Sequence, residues 1–404
     1  MRQRSAERSF VVGVAAGALG SFLTILAVTL DVNRDYGPIA VPFLIGAAAV
    51  PPLVAPRILR LLPASLSSRT LLLRLQITLA AFVWVVASLY QLASWMPFVL
   101  VAGVASAKSI ADPSLQSLIG RRWESDSRRL IFARLQTISA IIGAVSPLLG
   151  AGLREIWGTP WVLVVDGFSY LIAASIFSRV FRPELTRDIP MDDSDTAEDV
   201  DPEPATGSRR WLVTPAIALL FGGFVIGFWI DVTEYAGFDI LNLTDRQIIA
   251  WLTAWAVGSF LTLFVVTRTG AEARILPLIV LVVVALSAYP VLPLALSLIA
   301  FAVAGFGVSF INAVARPAAQ DDVGALSDRG QALFWARFGR VQAVVSVGSI
   351  VVAALLIDFL SFTGEVLAFG IIFVACGAAL VSVRVWQPRS GAPADAIGSE
   401  APRS

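Results

Sequence analysis

Runs of about twenty mostly apolar residues recur from one end of this chain to the other, the length at which a helix crosses the hydrocarbon core of a bilayer. They fall at 10–30, 38–56, 70–90, 96–118, 131–152, 160–178, 212–232, 247–267, 275–290, 292–314, 337–357 and 364–384. Charged residues are mostly confined to the connections between them. Across all 404 residues, 57% are hydrophobic and 15% charged, where a soluble domain carries about a quarter charged. Lipid offers no partner to a backbone amide, so segments of this kind must satisfy their own hydrogen bonds as helices. The expected architecture is an all-α membrane protein of twelve transmembrane helices. Arg2, Arg4 and Arg8 precede the first run. That run, Phe10 to Leu30, exceeds the roughly 7–15 apolar residues of a secretory leader, so it is expected to persist as the first helix.

The arginines orient the helices. With the N-terminus in the cytoplasm, 26 arginines fall in cytoplasmic segments and three, Arg34, Arg154 and Arg246, on the opposite side. Cytoplasmic loops of membrane proteins carry this excess. One missed helix in the middle would invert every later loop and erase the asymmetry. Both termini are therefore expected in the cytoplasm.

One segment breaks the apolar pattern. Residues 180–211 hold Asp188, Asp192, Asp193, Asp195, Glu198, Asp199, Asp201 and Glu203, interspersed with Pro190, Pro202 and Pro204. Such a stretch cannot bury a core and reads as a disordered tether. It divides the chain into a first bundle at 1–179, the acidic linker at 180–211, a second bundle at 212–386 and a disordered tail at 387–404. There is no histidine and a single cysteine, Cys376. No disulfide can close within the chain, and the commonest general base and metal ligand is missing. No titratable constellation for catalysis is visible, so neither an enzyme, a metal nor a cofactor is expected. The net charge of +1 is spread over loops and indicates no nucleic-acid partner.

The two halves echo each other. Val101-Ala102-Gly103 recurs as Val303-Ala304-Gly305, Asp112-Pro113 aligns with Arg316-Pro317, Gly120 with Gly324, and Phe132-Ala133-Arg134 with Trp335-Ala336-Arg337. The offsets are all 202 to 204. The matched helices run in the same direction, as in transporters built from parallel repeats with the substrate site between halves.

At this point the chain resembles the major facilitator superfamily, most of all the bacterial efflux branch that includes enterobactin and macrolide exporters. The run Gly143-Ala144-Val145-Ser146-Pro147-Leu148-Leu149-Gly150-Ala151-Gly152 resembles the glycine-proline pattern on the fifth helix of family antiporters. Val165-Asp166-Gly167-Phe168-Ser169-Tyr170-Leu171 resembles a sixth-helix pattern of that branch. Asp328-Arg329-Gly330-Gln331-Ala332-Leu333-Phe334 resembles the loop before its eleventh helix. The resemblance implies two pseudo-symmetric six-helix bundles in a bacterial cytoplasmic membrane, acting as a monomer. It further implies export of a drug-like or siderophore-like small molecule by alternating access, with the proton as coupling ion. Two departures stand out. The loop after the second helix, residues 54–63, carries Arg57 and Arg60 but no acid, where the branch has one in its cytoplasmic latch. The first helix reads Gly20-Ser21 where the branch often has Gly-Asp. The alternative is a membrane sensor or partner protein derived from a transporter.

Charges inside the apolar runs are the candidate chemistry, because a charge at mid-bilayer normally faces a cavity or a partner. Lys108 is the only lysine, near the middle of the fourth helix, and Asp112 lies one turn on, on the same face. They form either a charge pair on the transport path or a packing device. Asn312 and Arg316 share the corresponding face of the tenth helix, unless Arg316 marks its cytoplasmic end. Trp229 and Asp231 on the seventh helix form an acidic mouth or a wetted helix end. Asp31, closing the first helix, carries the same two readings. Asp112 and Asp166 are the candidate proton carriers, with a structural role the alternative for Asp166. Gly143, Pro147 and Gly150 present a small, kink-prone surface that suits a helix between moving halves. Trp84, Trp95, Trp229 and Trp251 are candidates for the interfacial aromatic belt.

Overall fold

The computed structural model describes residues 2–37, 40–63, 66–123, 125–181, 245–266, 292–323 and 326–357, with 278, 281, 282 and 285. Among these residues every regular element is helical. The helices are α1 (Arg2–Tyr36), α2 (Ala40–Leu61), α3 (Ser68–Leu89), α4 (Met96–Arg122), α5 (Ser125–Trp157) and α6 (Thr159–Val180). They continue as α7 (Asp245–Leu261), the single turn α8 (Leu263–Val266), α9 (Leu294–Asp322) and α10 (Asp328–Ile357). The spans expected at 212–232 and 364–384, most of that at 275–290, the acidic linker and the tail lie outside the described residues. So do Trp229 and Asp231.

Six stretches are long and apolar enough to cross a membrane: Ser5–Tyr36, Phe43–Leu61, Ser68–Leu89, Met96–Arg122, Thr159–Val180 and Leu294–Pro317. Large apolar side chains such as Phe43, Val85, Ile172 and Ile299 stand exposed on several of them. A soluble monomer does not sustain that much apolar surface in water, whereas lipid accepts it. Several helices outrun the expected spans. α1 has 35 residues and α5 has 33, about 50 Å of helix at 1.5 Å per residue, against about 30 Å of hydrocarbon. Hydropathy registers only the lipid-crossing part.

Local chemistry sets the breaks. Gly37 and Gly158 adopt φ of 78° and 82°, a left-handed region that glycine enters without a Cβ penalty. Each amide closes the preceding helix, Gly37 N onto Asn33 O and Gly158 N onto Arg154 O, both at 2.9 Å. Ser67 caps α3 by accepting from Thr70 N, which satisfies one of the orphan donors of the first turn.

Within the first half α1 packs on α5 and α6, α3 on α4 and α6, and α2 on α4. One buried cluster centres on Val28, Val83, Leu100 and Leu163. A second, around Phe10, Ile119, Trp123, Phe177 and Phe181, fills the end that carries the α1 N-terminus and the α4 C-terminus. Phe10 meets Trp123 at 4.9 Å and Phe181 at 5.8 Å between ring centroids. The halves meet along two seams, α5 against α7 and α2 against α10, with α4 also touching α10 and α5 touching α9. In the second half α7 and α9 approach backbone to backbone. Gly258 abuts the carbonyl of Ala302 and Gly305 that of Trp255, with no room for a Cβ at either.

Candidate functional site

The polar side chains gather in three layers, and the middle one holds the residues that the sequence singled out. On α4, Lys108, Asp112 and Gln116 follow at four-residue spacing and share a face. Pro113 follows Asp112 inside α4, and Pro317 follows Arg316 inside α9. Each proline removes one bond of its helix ladder. The repeat thus sets an acid and a base, each beside the same helix defect, on corresponding helices of the two halves. Asp112 is solvent-accessible, and Lys108 and Arg316 are partly so, although all three lie on apolar helices. Lys108 lies one turn before Asp112 on the same helix face, and α4 touches α9, which carries Arg316.

The contacts differ from a simple Lys108–Asp112 bridge. Lys108 Nζ donates to Ser21 Oγ at 2.8 Å. Ser21 Oγ lies 2.9 Å from the Tyr170 hydroxyl and donates to Gly17 O at 2.9 Å. The lysine therefore ties α4 to α1 through the serine that stands where the resembled branch often has an acid. Asp166 is fully buried. Its carboxylate accepts from Thr24 Oγ1 at 2.8 Å and from Ser169 Oγ at 3.2 Å. Gly20 makes this possible, since a Cβ there would collide with Asp166 Oδ1 and Ser169 Oγ. Asn312, also buried, donates back to Val308 O of its own helix at 3.0 Å. Arg316 makes no hydrogen bond or ion pair among the described residues, and its buried Nε has no partner. Gln116 Oε1 is likewise buried and unpartnered.

The second layer closes the arginine-rich end. Asp328 opens α10 behind Ser327, whose Oγ accepts from Gly330 N at 3.1 Å. The stretch from 328 to 334, expected as a loop, is instead the first turns of α10, because a serine cap followed by an acid favours a helix start. The Asp328 carboxylate accepts a very short bond from Ser117 Oγ on α4 and one at 3.4 Å from Ser68 N on α3. Arg121 stands 3.9 Å from it. Beside it, Arg329 Nη2 donates to the carbonyls of Arg60 and Leu62 at 2.8 and 3.4 Å. The loop after α2 therefore enters a latch through its backbone, and the acid comes from the other half. Behind the latch, Trp335 Nε1 donates to Gln320 Oε1 at 2.9 Å and Gln320 Nε2 to Gln331 Oε1 at 3.1 Å. Gly120 lets α4 reach this pair, because a Cβ would strike both glutamines.

The third layer staples the opposite end of the first half. Asp31, expected as a mouth residue or a wetted end, is buried. It accepts from Arg154 Nε at 2.8 Å, Thr159 Oγ1 at 2.5 Å and Tyr90 OH at 3.2 Å. Burial first, and Asp31 second, push the Tyr90 phenol above its ordinary range, so it remains a donor.

On α5, Gly143 faces Ala256 of α7 across the seam, its Cβ position 3.7 Å from the alanine methyl. Gly150 instead packs on Leu23 of α1, within its own half. The helix runs through Pro147. Trp84 donates to Val164 O at 3.1 Å and Trp251 to Ser297 Oγ at 3.0 Å, so both indoles bond protein; Trp95 is exposed. Sequence reasoning passed over Thr24, Gln116, Ser117 and Gln320. Polar residues at four-residue spacing from Lys108 could have flagged Gln116. Nothing local marks the others, whose partners come from distant segments.

The family described as Major Facilitator Superfamily matches residues 9–340. The human organic anion transporter MFSD10 (TETRAN) has the same fold, with a TM-score of 0.66 at 15% identity over 93% of this chain and 99% of that one. So does a bacterial homologue of the iron transporter ferroportin, solved in an outward-facing state with soaked iron, at 0.67 and 12% identity over 94% and 99%. No curated protein sequence matches the chain.

Proposed function

The chain belongs to the major facilitator superfamily, and from that membership we propose that it exports a drug-like or siderophore-like small molecule by proton-coupled alternating access. Superfamily members of this kind act on small molecules within the membrane, and the chain is a transporter rather than an enzyme. The neighbours of known structure are an organic anion transporter and a homologue of an iron transporter, so the fold leaves the cargo open. In this reading residues 1–179 and 212–386 are six-helix bundles joined by the acidic tether. The protein works as a monomer in a bacterial cytoplasmic membrane, with both termini inside.

One observation carries the reading: accessible charges from both halves, Lys108 and Asp112 on α4 and Arg316 on α9, stand behind a polar closure made by Ser117, Asp328 and Arg329. In this reading those charges line a crevice between the halves. Alternating access needs such a crevice and a closure that can be made and broken. By the arginine bias the shut end is cytoplasmic, so this state opens outward. Asp112 is the proton carrier in this scheme, because it is accessible and has no hydrogen-bond partner among the described residues; Asp166 is held by Thr24 and Ser169 as a structural acid. Polar contacts between the halves at the latch also favour a moving transporter over a sensor, which has no need of a releasable closure.

Everted vesicles holding the full chain should accumulate members of a labelled panel of antibiotics and ferric siderophores. A protonophore should collapse the accumulation and Asp112→Asn should uncouple it. Vesicles that accumulate no more than protein-free controls across the panel would leave the sensor alternative standing. Accumulation indifferent to the gradient would remove the proton.

A further inference from the structure

The geometry points to organic anions as the cargo class, their carboxylate held by the guanidinium of Arg316. This inference rests on the transport reading above. Its starting point is a charge imbalance in the crevice. Lys108 is bonded to a neutral hydroxyl, Ser21, and makes no ion pair among the described residues. Arg316 has no hydrogen bond or ion pair among the described residues, and its Nε is buried without a partner. Asp166, one turn before Tyr170 on α6, is fully buried and committed to Thr24 and Ser169. Among the described residues that leaves Asp112 as the acid without a hydrogen bond beside Lys108, one turn away on α4, and near the α4–α9 junction that carries Arg316.

Native proteins rarely leave a buried donor such as Arg316 Nε unsatisfied. A half-buried arginine that has no partner among the described residues is matched to a group that arrives and leaves. Its planar fork suits two coplanar oxygens, so a carboxylate fits better than a spherical ion or an amine. A cationic cargo would meet two like charges, and a neutral one would supply no charge to offset the guanidinium. The pseudo-symmetric placement of Arg316 opposite Asp112 sets the anion subsite at the junction of α4 and α9, where both halves can feel its arrival.

The test uses the purified full chain and matched triplets of carboxylate, carboxamide and aminomethyl compounds on naphthalene, biphenyl and pyrene scaffolds. Binding is read by tryptophan quenching and by the shift in thermal unfolding, with sodium sulfate as a simple-anion arm. On the best scaffold the carboxylate should bind at least tenfold tighter than its amide or amine, and sulfate should not compete at equal concentration. Arg316→Gln should reduce that preference below twofold, and Arg316→Lys should retain only part of it. Three results overturn the assignment: no carboxylate binds, amines or amides bind as well on every scaffold, or Arg316→Gln keeps the preference. If Arg316→Gln does not fold, the ranking by charge on the unaltered protein still decides. Uptake of the triplets into proteoliposomes separates the two readings. Movement of amines with carboxylates excluded keeps the transporter and removes the anion subsite. Carboxylate binding through Arg316 without uptake of any compound does the reverse.

Discussion

Replacing Asp328 by Asn should unlatch the arginine-rich end without unfolding the protein. The carboxylate takes a charge-assisted bond from Ser117 Oγ, a long bond from Ser68 N and an ion pair with Arg121 at 3.9 Å. Hydrogen bonds to charged groups contribute about 1.5–3 kcal/mol. The Arg121 side chain is 36% exposed, so its share is discounted to about 0.2–1 kcal/mol. Asn keeps one acceptor oxygen of similar shape and loses the charge, which leaves a net loss of about 1–2 kcal/mol. These contacts exist only while α10 is docked on α3 and α4, so the loss falls almost wholly on the closed state. A bias of that size shifts a two-state equilibrium by about five- to thirty-fold. Spin labels at Arg57→Cys and Arg340→Cys, both exposed sites on α2 and α10, with Cys376→Ser, would report the opening by pulsed dipolar spectroscopy. The short-distance population should shrink by at least fivefold relative to the open one, while the thermal unfolding midpoint moves by only a few degrees. Ser117→Ala combined with Asp328→Asn should add little to Asp328→Asn alone, since both remove the same bond. An unchanged distance distribution, or fully additive effects of the two substitutions, would refute the assignment of this contact as the latch.

Three further outcomes follow from the packing. Gly20→Ala forces a methyl onto Asp166 and Ser169 and should cost about 1–3 kcal/mol, seen as a lower unfolding temperature in detergent. Gly17→Ala is the control, because its Cβ would sit 3.7 Å from Ala173 and should be nearly silent. Asp31→Asn leaves Arg154 without its charge partner in a largely buried site and should destabilise by about 3–5 kcal/mol, while the charge ranking of bound ligands stays unchanged. Gly143→Leu puts a branched side chain against Ala256 in the seam between halves; transport rate should fall several-fold with expression retained, and loss of both together would count against a seam role.

The lipid-embedded helical character of this protein was legible from the sequence alone because it depends on a local sum. About twenty residues of transfer free energy decide whether a segment enters lipid, whatever its neighbours do. The repeat was legible for a related reason. Corresponding segments keep corresponding residues, so Asp112 and Arg316 could be paired by position before any contact was known. Partners were another matter. Lys108 and Asp112 share a helix face, yet the ammonium reaches Ser21, 87 residues away in sequence. Thr24 holds Asp166 across 142 residues and Ser117 holds Asp328 across 211. Asp31 read as a mouth residue or a wetted helix end and became the staple of its bundle, because α3 and α5 end and α6 begins beside it. Which side chain meets which depends on the order in which helices pack and on where glycines such as Gly20 and Gly120 let them approach. That information is spread over the whole chain, so only the assembled bundle decides it.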